Sequence, residues 1–338
     1  MRVLGIETSC DETSAAVVED GRKILSNIVF TQIPFHQEFY GVVPELASRK
    51  HMEILHPVIN QALREAGLSL CDIDAIGVTQ EPGLMGSLLV GLTVAKTMAF
   101  ALSKPLIPVN HIMAHVYAAN LGEKPLVFPF IGLIVSGGHT LLTVFEDWLH
   151  YRIIGSTIDD AVGEAYDKVA KVMGLGYPGG PLIDKMAQEG DPNAVDLPLV
   201  MLNYQNDRYN FSYSGLKTAV VYHLERNPDY IARDLAASFQ KKAIDILLKK
   251  TLLLSNELNI SRVVIAGGVA ANSYLRKIFI ESPLELYLPS LKLCTDNAAM
   301  VAGLAYHLHH KDSGNHFGTD ARDKVITREF KKSLRETK

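Results

Sequence analysis

The sequence predicts an α/β protein of two duplicated lobes with a cleft between them. Three observations carry that expectation. The same order of elements occurs twice along the 338 residues, each half places a polar or glycine-rich turn between strands, and each half ends on a helix with a polar start. Self-similarity of this kind marks an internal repeat even where the residues themselves differ.

In the first half, residues 2–6 read as a strand, followed by the polar turn Glu7-Thr8-Ser9-Cys10-Asp11-Glu12-Thr13. Residues 14–19 and 23–30 complete a three-strand meander, with Asp20-Gly21 as its second turn. Residues 45–66 have helical periodicity. A strand at 75–79, the loop at 81–86, a helix from Ser87 and a strand at 104–109 follow. The second half repeats this order: strand 130–135, turn Ser136-Gly137-Gly138-His139-Thr140, strands 141–145 and 151–154, a helical insertion at about 156–258, strand 262–266, loop 267–272, a helix, strand 285–288, and a last helix opened by residues 294–300. The expected division is therefore 1–127 for the N-terminal lobe, completed by part of 300–338, and 128–299 for the C-terminal lobe.

Composition narrows the class. Apolar residues make up 48% and charged residues 21%, as in ordinary globular proteins. The net charge of −4 gives no overall field for nucleic acid, so RNA would need a local basic face. Three well-separated cysteines form no CxxC pair and fit a reducing compartment. Residues 1–7 reach a charge too early for a signal peptide. The apolar run at 84–102 contains Ser87, Thr93, Lys96 and Thr97, which reads as a buried helix rather than a membrane span. These features together point to a soluble cytoplasmic protein.

The sharpest chemical signal is Asn110-His111-Ile112-Met113-Ala114-His115. Two histidines four apart on a helix point the same way and can grip one metal ion. The blander account is two histidines each bonded to backbone. The repeat pairs this helix with the one Asp296 opens, so a pseudo-twofold relation brings His111, His115 and Asp296 together in the cleft. Alone, Asp296 would be read as a helix cap. The Ser136–Thr140 turn could cradle a phosphate or simply close a hairpin, and Asp11 or Glu12 could hold a metal, act as a base, or sit in a solvated turn.

Gly267-Gly268-Val269-Ala270-Ala271-Asn272 follows a strand and opens a helix, as nucleotide loops do, but it is not GxGxxG, and no GxxxxGK[ST] loop occurs. Residues 159–168 read as an acidic helix start, and 177–181 as too rich in turn formers for a helix. Asp167 and Asp184 suit ribose hydroxyls or plain capping. Basic residues cluster late, at Lys241, Lys242, Lys249, Lys250 and from Arg322 to Lys338, as a solvated end or as contacts to RNA phosphates.

These motifs, with Val42 to Arg49, Tyr177 to Pro181, Phe211 to Thr218 and Cys294 to Met300, together resemble the bacterial TsaD family, formerly called glycoprotease or Gcp. The resemblance runs nearly end to end. Asn110 stands where that family often has histidine, and Glu81 where its proline-glycine loop usually begins with glycine.

The resemblance implies an actin/Hsp70/sugar-kinase-like (ASKHA, ribonuclease H-like) fold. It implies transfer of a threonylcarbamoyl group from threonylcarbamoyl-adenylate to N6 of the adenosine 3′ of the anticodon, in tRNAs reading codons that begin with A. Carried over by position, His111, His115 and Asp296 bind a divalent metal, iron (Fe2+) first and zinc as the alternative. Ile134, Val135, Ser136, Gly137 and Gly138 hold the phosphate and carbamoyl end, Asp167, Gly180 and Asp184 the ribose, and Asn272 the adenine. Asp11 or Glu12 orients the amine or takes its proton. The partners implied are tRNA, a paralogous TsaB-type subunit, a TsaE-type ATPase and a separate synthase, with no membrane.

Two rivals remain. A zinc peptidase of the HExxH type needs a glutamate after its first histidine, where this chain has Ile112. An ATP-gated scaffold of the actin or Hsp70 kind needs no such metal site.

Overall fold

The computed structural model describes residues 1–122, 124–199, 207–312 and 314–323, so only Arg322 of the basic tail lies within them. The chain divides into two compact units, Met1–Leu126 joined by the chain from Pro289 onward, and Val127–Leu288. Residues 289–299, assigned from the sequence to the second lobe, belong to the first.

The first unit is built on a five-stranded sheet of order β3-β2-β1-β4-β5, with β1 (Arg2–Glu7), β2 (Glu12–Glu19), β3 (Lys23–Thr31), β4 (Ala75–Glu81) and β5 (Leu106–Asn110). β1, β2 and β3 pair antiparallel, while β1, β4 and β5 run parallel and so end on one side. Alternate residues of a strand face opposite ways. Leu4 and Ile6 of β1 with Ala15 and Val17 of β2 enter the core formed with α2 (Pro44–Ala66) and α3 (Met85–Leu102). The short helix α1 (Ile33–His36) precedes α2. α3 is the one helix among the described residues long and apolar enough to cross a membrane. Its Leu88, Leu92, Ala95 and Ala99 are buried, at the spacing of one helical face.

On the other face, Gly5 meets α10 (Ala298–Lys311), where any Cβ would run into Ala298 and Ala302. Overpacking of this kind costs about 1–3 kcal/mol, so glycine here lets the last helix close on β1. That contact ties the start of α10 to this unit. The sequence repeat is blind to it, because it counts elements and not their packing.

The second unit repeats the topology. Its sheet has order β10-β9-β6-β7-β8, from β6 (Phe130–Val135), β7 (Thr140–Phe145), β8 (Tyr151–Ser156), β9 (Arg262–Ala266) and β10 (Glu285–Tyr287). Again three strands form an antiparallel meander and the outer pair joins in parallel. The insertion supplies α5 (Val162–Val172), α6 (Gly179–Ala187), α7 (Ser214–Arg226) and α8 (Ala232–Leu258), and α9 (Ser273–Ile280) follows β9.

Two local expectations are corrected. Tyr177 to Pro181 does enter a helix, because Gly179, Gly180 and Pro181 occupy the first turn of α6, where a missing N–H costs nothing. The acidic start at Asp159 lies before α5. Its carboxylate accepts hydrogen bonds from Ser212 Oγ, Tyr213 N and Ser214 Oγ.

Candidate functional site

Three parallel strands of the first unit deliver their ends to one place. β5 ends at Asn110, whose Oδ1 accepts the Met113 amide at 3.1 Å and so caps α4 (His111–Ala118). His111 opens that helix, and His115 stands one turn later, almost wholly buried. Asp296 comes from the loop before α10.

The expected cap role of Asp296 is taken by other residues. Asn297 Oδ1 accepts Met300 N at 3.2 Å, Ser14 Oγ accepts Ala298 N at 2.8 Å, and Asn27 Oδ1 accepts Ala299 N at 3.3 Å. With the first amides of α10 satisfied, the Asp296 carboxylate turns to the histidines. Its Oδ1 lies 3.0 Å from His115 Nε2 and 3.6 Å from His111 Nε2, and the two Nε2 atoms are 3.1 Å apart.

This donor set fits a cation. Two imidazole nitrogens and a carboxylate oxygen converge with their ligand atoms all within 4.8 Å. Ligand atoms about 2.1 Å from a tetrahedral ion lie about 3.4 Å apart, close to the separations here. Two nitrogens facing each other at 3.1 Å also need a proton or a metal between them.

The electrostatics agree. Burial pulls the His111 imidazole down, but the charges of Asp296 and Glu7 and a bond to Glu7 outweigh it, and its pKa is pushed up to about 9. On the neighbouring turn, burial pushes the Glu12 carboxyl well above the usual range, helped by the charges of Asp296 and Asp11. Asp11 is itself mostly buried. Glu12 thus lies within electrostatic reach of Asp296, with Asp11 beside it.

The second unit gathers the expected adenylate residues around its own loops. Ile134 and Val135 are fully buried in β6, so a ligand could reach only main chain there, and the open surface begins at Ser136. A Cβ at Gly137, Gly138, Gly180 or Gly268 would meet no atom within 4 Å, which leaves these backbones approachable. Gly267 holds φ +92°, and a Cβ there would strike Val135 O, so the β9–α9 loop lies against the β6–β7 hairpin.

Several side chains already have work. Asn272 Oδ1 caps α9 by accepting Leu275 N at 2.9 Å, and its Nδ2 donates to Gln240 Oε1 at 2.7 Å. Asp184 accepts from Ser273 Oγ at 2.7 Å and Ser273 N at 3.1 Å. Asp167 Oδ1 accepts Gly179 N at 2.7 Å, beside Gly180.

The late lysines separate. Lys250 is buried and donates to Arg208 O at 2.8 Å, so it is no RNA contact. Lys241, Lys242 and Lys249 line a pocket of about 450 Å³ with Asp196 and Asp245.

Sequence reasoning missed Glu7 and Ser9, which meet His111 Nδ1, Thr79, which donates to Glu7, and Gln240, which holds Asn272. A signal for Glu7 existed: a lone carboxylate ends the apolar run from Val3 to Ile6.

The fold is shared with (R)-2-hydroxyglutaryl-CoA dehydratase component A of Acidaminococcus fermentans, at 13% identity and TM-score 0.54 over 92% of this chain and 99% of that one. Full-length HypF matches with TM-score 0.61 and 14% identity over 93% of this chain and 47% of its own. These neighbours share the α/β fold of two five-stranded sheets. Sequence similarity is far stronger. The tRNA N6-adenosine threonylcarbamoyltransferase of Brachyspira hyodysenteriae is 51% identical over 338 residues, covering 98% of this chain and 99% of the relative. The enzyme of the same name from Treponema denticola is 52% identical over 330 residues, covering 96% and 97%. The family model for TsaD, tRNA N6-adenosine threonylcarbamoyltransferase, matches residues 23–303. The chain therefore belongs to the TsaD family.

Proposed function

We propose that this protein transfers a threonylcarbamoyl group from threonylcarbamoyl-adenylate to N6 of the adenosine 3′ of the anticodon, in tRNAs reading codons that start with A. The observation that carries this reading is the His111–His115–Asp296 group in a chain about half identical to transferases of that name. The three residues would hold one divalent ion, iron first and zinc as the alternative. When bound, such an ion supplies Lewis-acid polarisation of the carbamoyl carbonyl or the phosphate.

The remaining work falls to the chain's own groups. Amides of the Ser136–Gly138 turn hold the phosphate end, as bare backbone amides do for anions. Asp167 and Asp184 accept from ribose hydroxyls, and Asn272 meets the adenine. Glu12, a carboxyl on the turn beside the three-ligand group, takes the proton from the attacking amine while AMP leaves, and Asp11 orients that amine. Lys241, Lys242 and Lys249 offer positive charge for RNA phosphates. The protein acts in the cytoplasm with a TsaB-type subunit and a TsaE-type ATPase.

A peptidase reading is not favoured, since Ile112, a buried apolar residue, stands where the general base would be needed. Mass spectrometry of tRNA nucleosides tests the transferase reading. Incubation with tRNA, threonine, bicarbonate, ATP, the synthase and both partners should yield threonylcarbamoyladenosine only when this chain is present. Equal yields without it would sink the assignment.

A further inference from the structure

The three-ligand group rests on a second, deeper layer. Glu7, the last residue of β1, is fully buried. The β1–β4 register pairs Ile6 with Val78, which sets Glu7 beside Thr79 on the face that carries α10. Thr79 Oγ1 donates to Glu7 Oε2 at 2.6 Å, and the Ser9 amide donates to Oε1 at 2.6 Å. The remaining partner of Oε2 is His111 Nδ1, at 3.1 Å. Among the described residues no lysine or arginine pairs with this carboxylate.

A buried carboxylate is costly unless its partners satisfy it, so this arrangement demands a reason. The ring of His111 supplies one. A carboxylate can only accept, so its bond to Glu7 puts the hydrogen on Nδ1. Ser9 Oγ, at 3.1 Å from the same nitrogen, then accepts as well, and in a neutral imidazole the lone pair lies on Nε2. Nε2 is the atom that faces His115 and Asp296. His115 is held differently: its buried Nδ1 has no hydrogen-bond partner among the described residues.

We propose that Glu7 is a positioning residue that fixes the tautomer and ring orientation of His111, so that Nε2 presents a lone pair to the metal, with Thr79 and Ser9 holding Glu7 in place. The proposal rests on reading His111, His115 and Asp296 as metal ligands. Carboxylates behind ligating imidazoles raise ligand basicity and lock the ring in this way.

Glu7→Gln is the informative variant. Its amide oxygen is needed by the Ser9 amide, which leaves the NH2 group facing Nδ1. That contact favours hydrogen on Nε2, the tautomer that cannot bind a metal. Metal-free protein prepared by chelation is titrated with zinc against a chromophoric chelator, and the melting temperature of the metal-free form is recorded alongside. Glu7→Gln should lose about 10- to 100-fold in zinc affinity while the metal-free melting temperature stays near that of the unaltered protein. Thr79→Val, which removes one donor and keeps the carboxylate, should lose several-fold and covers the case where Glu7→Gln does not fold. Unaltered affinity in a folded Glu7→Gln overturns the positioning role, as does unaltered affinity in Thr79→Val should Glu7→Gln not fold. An affinity drop matched by an equal loss of metal-free stability also overturns it, since Glu7 would then be structural only. If His111→Ala binds zinc as well as the unaltered protein, the metal reading itself fails and this inference falls with it.

Discussion

Asn110 Nδ2 lies 3.4 Å from Glu81 Oε1, so the two positions expected from the resemblance to depart from the family's pattern are bonded to each other. They face each other in the β4–β5 ladder, and Glu81 also reaches Arg322 at 3.4 Å. Because Asn110 caps the helix that carries His111, the pair supports the three-ligand group. Asn110→Ala should cost about 1 kcal/mol of stability through the lost cap. In a double-mutant cycle with Glu81→Ala the coupling should be about 0.5 kcal/mol, as for residues in contact. Denaturant unfolding of the four proteins measures it, and strict additivity would mean that the two departures are independent.

The ligand set makes a sharper prediction. His111→Ala, His115→Ala and Asp296→Ala should each strip the metal, and the transfer activity should disappear in all three. The fold should persist, since α10 keeps its caps from Asn297, Ser14 and Asn27 in every variant. Elemental analysis checks it: full occupancy in any one variant removes that residue from the ligand set.

How far this site was legible in the sequence depends on the range of the interaction concerned. The His111/His115 spacing is local and could be read directly, as could the strands, whose apolar runs announce themselves within a residue or two. Asp296 was reachable only through the repeat. The competing cap role could not be dismissed until Asn297 was seen to do that job, and one residue of offset is below the resolution of pattern reading. The tie between the start of α10 and the first unit runs through Gly5, a contact between chain segments almost 300 residues apart. Glu7 was visible as a charge but not as a partner of His111, because strand parity says which face a residue takes and not what waits there.

Acidity should govern metal loading. In the metal-free protein His111 titrates at about 9, well above an ordinary histidine at about 6.5. A raised folded-state pKa adds stability that is fully present below about pH 6.5 and lost as the pH rises through about 9. The metal must displace that proton, so affinity moves the opposite way and climbs across the same window. Calorimetry at pH 7.5 in buffers of different ionisation enthalpy should show a proton released on binding. Affinity that is flat between pH 6.5 and 9 would contradict the charged state assigned to His111.

Asn272 carries two roles that substitution can separate. As the cap of α9, it should cost about 1 kcal/mol when replaced by alanine, with or without ligand. If its amide also meets the adenine, Asn272→Ala should weaken adenylate binding by about 1–3 kcal/mol beyond that. Asn272→Ser divides the two effects, because serine caps a helix nearly as well but offers no amide to a base. This variant should keep the cap and lose only the buried bond to Gln240, so its stability should lie above that of Asn272→Ala while affinity falls as far. Thermal unfolding and calorimetry with a non-hydrolysable adenylate analogue give the pair of readings. Should Asn272→Ser bind the analogue normally, the residue is a helix cap and Gln240 partner only, and the adenine contact must come from elsewhere in the second unit.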